Sequence, residues 1–269
     1  MKPLRRLSLL LLAVFAGFAS TPAAAQPAKW EFGAAIYAYL PTISGKSTFP
    51  ATGGGSSVSV DADTILENLK MAFMGTFEAS NGTWGVYTDL LYVDVGDSKS
   101  NAQSFTIGPR GIPVGTSANV DYDLKGWVWT VAGTYRVVAE RDFKVDLLAG
   151  ARVLNLRQEV SWALAGNVGP VALPDRAGTR ELDAQNWDAV VGVKGRAAFG
   201  EGRWFVPYYL DLGTGESKFT WQAMGGVGYS FGWGDVVAAW RYIDYQMKSG
   251  KPVEDVNFSG PAIAAVFRW

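Results

Sequence analysis

The chain has no cysteine and no histidine among its 269 residues. Without cysteine there is no disulfide and no thiolate chemistry. Without histidine there is no imidazole base and none of the commonest metal ligand. Charged residues make up only 18% of the chain, yet no interior apolar run reaches the ~20 residues that a membrane helix needs. Formal net charge is -1, and no basic stretch or nucleic-acid motif is present, so nucleic acid is not expected as a partner. No cofactor is expected either.

Glycine and aromatic residues are abundant: 32 glycines, 11 tryptophans and 13% aromatics. Many short alternating segments rich in Gly, Trp and Tyr favour an all-β barrel or sandwich. The stretch from Lys218 to Trp269 shows this best, in the runs FTWQAMGGVGYSF, DVVAAWRYIDYQMK and VNFSGPAIAAVFRW. Side chains on a strand alternate between faces. Reading back from Trp269, one face carries Trp269, Phe267, Ala265, Ile263 and Pro261; the other carries Arg268, Val266, Ala264, Ala262 and Gly260. An apolar face opposite a small face bearing arginine is the pattern of a strand between lipid and a narrow lumen.

The N-terminus has a different character. Lys2, Arg5 and Arg6 precede an apolar run from Leu7 to Phe18, and Ala23, Ala24 and Ala25 follow. This is the layout of a signal peptide cleaved after Ala25, which leaves residues 26–269 as one exported domain.

Ten strand candidates follow, over 29–45, 68–80, 84–97, 119–139, 144–164, 186–200, 203–213, 217–232, 235–248 and 255–269. Asn81-Gly82-Thr83, Glu140-Arg141-Asp142, Glu201-Gly202 and Gly232-Trp233-Gly234 read as tight turns. The other gaps, near 46–67, 98–118, 165–185, 213–217 and 249–254, are mostly longer and read as loops. Short turns at one end and long loops at the other describe an antiparallel transmembrane β-barrel with periplasmic termini. Eight or twelve strands are the alternatives to ten. A soluble sandwich is disfavoured, because so many apolar faces would need a second sheet to cover them.

The faces follow by alternation. Leu69, Met71, Phe73 and Phe77 point outward; so do Trp187, Val191 and Phe199, Phe219 and Val227, and Trp127, Trp129 and Tyr135. Beyond Val153 the fifth strand places Asn155 and Arg157 on the apolar side, so it has left the bilayer there or contains a bulge. Tryptophans near strand ends suit the membrane interface, where the ring is buried and its N–H stays wet. Asp61 to Leu69 reads as a short amphipathic helix in the first extracellular loop, with Ile65, Leu66 and Leu69 on one side. It covers the barrel mouth, rests on the membrane, or only shapes the loop.

The segments DADTILENLKMAFMGTFEASNGTWGVYTDLLYVDVGD, WRYIDYQ and SGPAIAAVFRW resemble a group of poorly characterised outer-membrane β-barrel proteins of Gram-negative bacteria, the small-barrel porin-like group. The resemblance implies an outer-membrane location, with outer-membrane lipid and lipopolysaccharide, periplasmic chaperones and the barrel-assembly machinery as partners. Trp269, with Phe267 behind it, is similar to the C-terminal assembly signal of such barrels, although phenylalanine is commoner at the last position. No catalytic site comes with the resemblance.

The inferred lumen holds Glu31, Lys70, Glu78, Asp89, Arg136, Asp146, Arg152, Lys194, Arg196, Asp211, Arg241 and Arg268. Unpaired buried charges are costly, so these residues are expected to pair across a narrow lumen. One reading is a salt-bridged plug; the other is a narrow path for small polar or anionic solutes lined by Arg152, Lys194, Arg196 and Arg241. The enzymes of such barrels place histidine in their sites, and the chain is read as a non-enzyme. The pairs Asp121/Asp123 and Asp94/Asp97 are solvated flanks, and Asp61/Asp63 are helix caps before they are cation ligands. Loops 98–118 and 165–185 are candidate contact surfaces for an unknown partner.

Overall fold

Alternation carries the chain around a closed ring. A computed structural model describes residues 29–47, 56–60, 62–107, 112–168, 171–172, 176–250 and 253–269. The signal-peptide reading and Asp61 lie outside these residues. The elements are β1 (Glu31–Tyr39), β2 (Thr42–Ser47), β3 (Ser56–Val60), α1 (Ala62–Glu67), β4 (Leu69–Ser80), β5 (Trp84–Ile107), β6 (Ile112–Ala139), β7 (Phe143–Val168), β8 (Val171–Ala172), β9 (Arg176–Phe199), β10 (Trp204–Gly215), β11 (Ser217–Ser230), β12 (Asp235–Met247) and β13 (Val253–Arg268). The antiparallel order β1-β4-β5-β6-β7-β9-β10-β11-β12-β13 returns to β1, which closes ten strands. The hairpin β2–β3 is added along β13, and β8 pairs β7.

Tight turns gather at one end. Asn81 Oδ1 accepts from the amides of Thr83 (3.1 Å) and Trp84 (2.8 Å), while Gly82 takes φ 90° at no steric cost. Phe32 and Trp269 exchange backbone bonds of 2.8 and 3.0 Å, joining the first and last strands at that same end. Aromatic rings ring it from outside. Phe32 stacks on Phe77 and Trp269, Trp233 bridges Phe231 and Phe267, and Trp204 meets Tyr229.

Above this girdle the outer face is apolar. Ile36, Val191, Leu210, Val227 and Ile263 are all exposed, while their strand neighbours Ala35, Val190, Tyr209 and Gly228 are buried within. An apolar exterior around a polar, charged interior inverts a soluble protein and identifies a lipid-facing belt.

Four sequence expectations need correction. The segment 29–45 is two strands, since Leu40 and Pro41 interrupt it and β2 leaves the barrel wall to pair with β3. The spans 98–118 and 165–185 are largely strand: β5 and β6 stay in register to Ile107↔Ile112, and β7 and β9 to Leu164↔Arg176. The gap at 213–217 is a tight turn at Glu216. Lys70 is not in the lumen. An irregularity between Leu69 and Met71 reverses the alternation, and Lys70 reaches across Gly96 to Asp123 at 2.8 Å.

The fifth strand keeps continuous register with β9 beyond Val153, so Asn155 and Arg157 lie past the belt rather than on a bulge. The helix is present as Ala62–Glu67, with Ile65 buried and Leu66 half exposed.

Candidate functional site inside the barrel

Inward-pointing side chains fill the lumen in three layers. At the tight-turn end lies a cavity of about 340 Å³ whose charged lining residues include Glu31, Glu78, Arg136, Lys194, Arg196 and Arg268. Lys194 pairs with Glu78 at 2.5 Å, and Arg136 Nε donates to Asp146 Oδ1 at 2.8 Å. The buried Asp235 carboxylate accepts from both Arg196, at 3.4 Å, and Arg268. The Arg196 guanidinium also lies 3.8 Å from the Phe205 ring centroid, which balances its charge on a π face.

The middle layer is closed. Arg241 from β12 meets Asp89 from β5, and the Tyr37 hydroxyl bridges them, donating to Asp89 at 2.6 Å and accepting from Arg241 at 2.8 Å. Gln222 Oε1 accepts a further bond from Arg241 at 3.2 Å. Beside this network Arg152 pairs with Asp211, which also accepts from Tyr209 at 2.6 Å. Arg152 and Asp211 are 0% exposed, Asp89 2% and Arg241 3%. Taking such charges out of water costs several kcal/mol per ion, which the ion pair and its added hydrogen bonds must offset. The offset is incomplete, because Arg152 Nη1, Asp211 Oδ1 and Arg241 Nε have no hydrogen-bond partner.

Above the charges sits an apolar layer formed by Tyr39, Met74, Leu91, Val128, Leu154, Ile243, Tyr245, Met247, Val256 and Phe258. At its side Asp188 accepts from the Ser217 amide and hydroxyl, both at 2.8 Å. Past the belt, exposed pairs continue along the long strands: Lys125 with Asp94 at 3.5 Å, and Arg157 with Glu181 and Asp183. The Glu181 carboxylate raises the Arg157 guanidinium above its ordinary value, first by its hydrogen bond and then by its charge.

The structure thus groups the sequence candidates in two places. Arg136, Lys194, Arg196 and Glu78 stand around the tight-turn cavity; Arg152, Arg241, Asp89 and Asp211 form the closed layer. Asp94 and Asp123 belong to the outer pairs instead. Sequence reasoning missed Tyr37, Tyr209 and Asp235. Their parity with Ala35, Asp211 and Val237 would have placed all three inward. Among the described residues no three carboxylates converge as a metal site.

No family model matches the chain, and no curated protein sequence matches it. Solved outer-membrane barrels share its general form. The translocator domain of the autotransporter NalP from Neisseria meningitidis aligns with TM-score 0.37 and 14% identity, covering 97% of this chain and 94% of that one. The outer membrane protease OmpT from Escherichia coli gives 0.42 and 10%, covering 93% and 100%. The attachment invasion locus protein Ail of Yersinia pestis gives 0.34 and 9%, covering 89% and 98%.

Proposed function

We propose that this protein is a closed, non-conducting barrel of the Gram-negative outer membrane, with a structural or passive role and with its long hairpins at the cell surface. The observation that carries this reading is the burial of Arg152 and Asp211 at 0% exposure in mid-barrel, beneath an apolar layer. Ion-conducting paths keep their lining groups in contact with water. On this reading the tight-turn end faces the periplasm, the segment 1–25 directs export, and lipid, lipopolysaccharide, periplasmic chaperones and the assembly machinery are the partners.

A narrow channel for small polar or anionic solutes is the second reading. It is favoured by the 340 Å³ cavity bearing Arg136, Lys194, Arg196 and Arg268 at the tight-turn end. Single-channel recording of the refolded protein in a planar bilayer separates the two. The closed barrel leaves the baseline silent while the protein stays heat-modifiable and β-rich. Discrete steps that change amplitude in Lys194→Gln and Arg196→Gln would replace it with the channel.

A further inference from the structure

The barrel wall is zipped only part of the way between β1 and β4. Their ladder runs from Glu31↔Ser80 to Ile36↔Gly75 and stops. Beyond it β1 stays on β13 through Tyr39↔Ala262, and β4 stays on β5 through Phe73↔Tyr92 and Met71↔Asp94. The Phe32 and Leu40 amides donate toward β13, so by alternation the Tyr39 amide faces β4. There it donates to Met74 Sδ at 3.2 Å, a weak acceptor where a carbonyl would stand in a closed ladder. Leaving strand edges apart at membrane depth is costly unless something covers them.

The parting begins inside the lipid-facing belt. Phe73 stands eight residues from the Asn81 turn and is 50% exposed, within the ~9–11 residues of a spanning strand. Behind it lies a second cavity, of about 280 Å³, lined by Met74, Leu91, Val128 and Leu156, with Ile65 and Leu66 of α1 at its rim. Its two tyrosines have their hydroxyls engaged elsewhere: Tyr37 on Asp89, and Tyr39 on the Arg241 carbonyl at 3.2 Å. Apart from these hydroxyls and the Trp127 indole, the side chains that line the cavity are apolar. It is roughly twice the ~150 Å³ that holds a benzene in an apolar cavity.

We propose that this cavity takes the acyl chain of a membrane lipid, which enters sideways between β1 and β4 and leaves its headgroup outside the wall. The opening meets hydrocarbon, the lining is apolar, and the space suits a chain rather than a headgroup. The α1 helix then borders the entrance with its apolar side, as one lip of a lateral slot.

The full-length protein refolded into vesicles of a phosphatidylcholine carrying a diazirine midway along one acyl chain tests this. After illumination, peptide mass spectrometry is expected to find adducts on the inward residues Leu91, Val128 and Leu156 as well as on belt residues such as Ile36 and Val191. Ala72→Trp, or Gly126→Val should that variant not fold, fills the cavity and brings the inward adducts to background while belt adducts persist. Heat-modifiable migration confirms the fold of each variant. Adducts confined to the belt in the wild-type protein would overturn the proposal, as would inward adducts indifferent to both substitutions. A free diazirine fatty acid, added from the aqueous side to unlabelled vesicles, provides the second arm. A higher inward-to-belt ratio than the phospholipid gives would assign the cavity to a free hydrophobic solute and overturn the lipid assignment.

Discussion

Arg241 and Asp89 are 152 positions apart in the sequence and meet in the middle of the barrel as a buried ion pair. They come from β12 and β5, which are not neighbours in the ring. The pair is therefore a strut across the lumen, and it holds the two walls at a distance that backbone ladders do not set.

Breaking the strut strands a charge. Asp89→Ala leaves Arg241 buried without its partner and is expected to cost about 3–5 kcal/mol. The double variant Asp89→Leu/Arg241→Met removes both charges and recovers most of that loss. Equilibrium urea unfolding in vesicles, followed by tryptophan fluorescence, measures both. A double variant as unstable as the summed single changes would show that the two residues are not coupled.

Val191 marks the lipid face, at 62% exposure and nine residues from Gly200. Val191→Arg places a cation at belt depth and is expected to lose about 2–4 kcal/mol. Val227→Arg behaves alike. Unchanged unfolding midpoints for both would refute the face assignment.

Gly228 lies under the Phe205 ring, and a Cβ there would collide with it. Phe205 is 2% exposed and carries Arg196 on its face, so it has little room to yield. Gly228→Ala is expected to cost about 1–3 kcal/mol by overpacking. At Gly225 a Cβ meets nothing within 4 Å, so Gly225→Ala should stay within about 0.5 kcal/mol. Equal midpoints for the two variants would contradict this packing.

Trp269→Ala keeps the backbone bonds to Phe32 and removes the ring stacked on it at 6.0 Å. Insertion into vesicles is expected to slow, and to slow more when the barrel-assembly machinery is present. An equal slowing with and without the machinery would reduce the ring to seam packing.

The barrel was legible because lipid enforces alternation wherever a strand crosses it: Val191, Val227 and Ile263 stand outward by parity alone. The hairpin arms at 98–118 and 165–185 were not. Outside the bilayer neither face of a strand must be apolar, so a Gly-, Ser- and Pro-bearing stretch that continues a ladder looks like a loop. Lys70 was misplaced by the irregularity at its own position, which composition does not reveal. The inward charges could be named but not matched, because the choice between Asp89, Asp211 and Asp146 for each arginine depends on the stagger between strands. The parted β1–β4 wall left only Pro41 as a trace.

Closing a sheet into a ring abolishes its edges, yet the long hairpins make new ones above the rim. β4 accompanies β5 only to Val95, and β10 accompanies β9 only to Asp188. Beyond those points four strands continue, with no further ladder on their outer sides among the described residues, as a sheet on one side of the rim. Its borders, Asp97–Ile107 on β5 and Arg176–Gln185 on β9, offer backbone groups to any extended chain that approaches. The β9 border carries exposed Glu181 and Asp183. Charged side chains along a sheet border disfavour edge-to-edge pairing between copies.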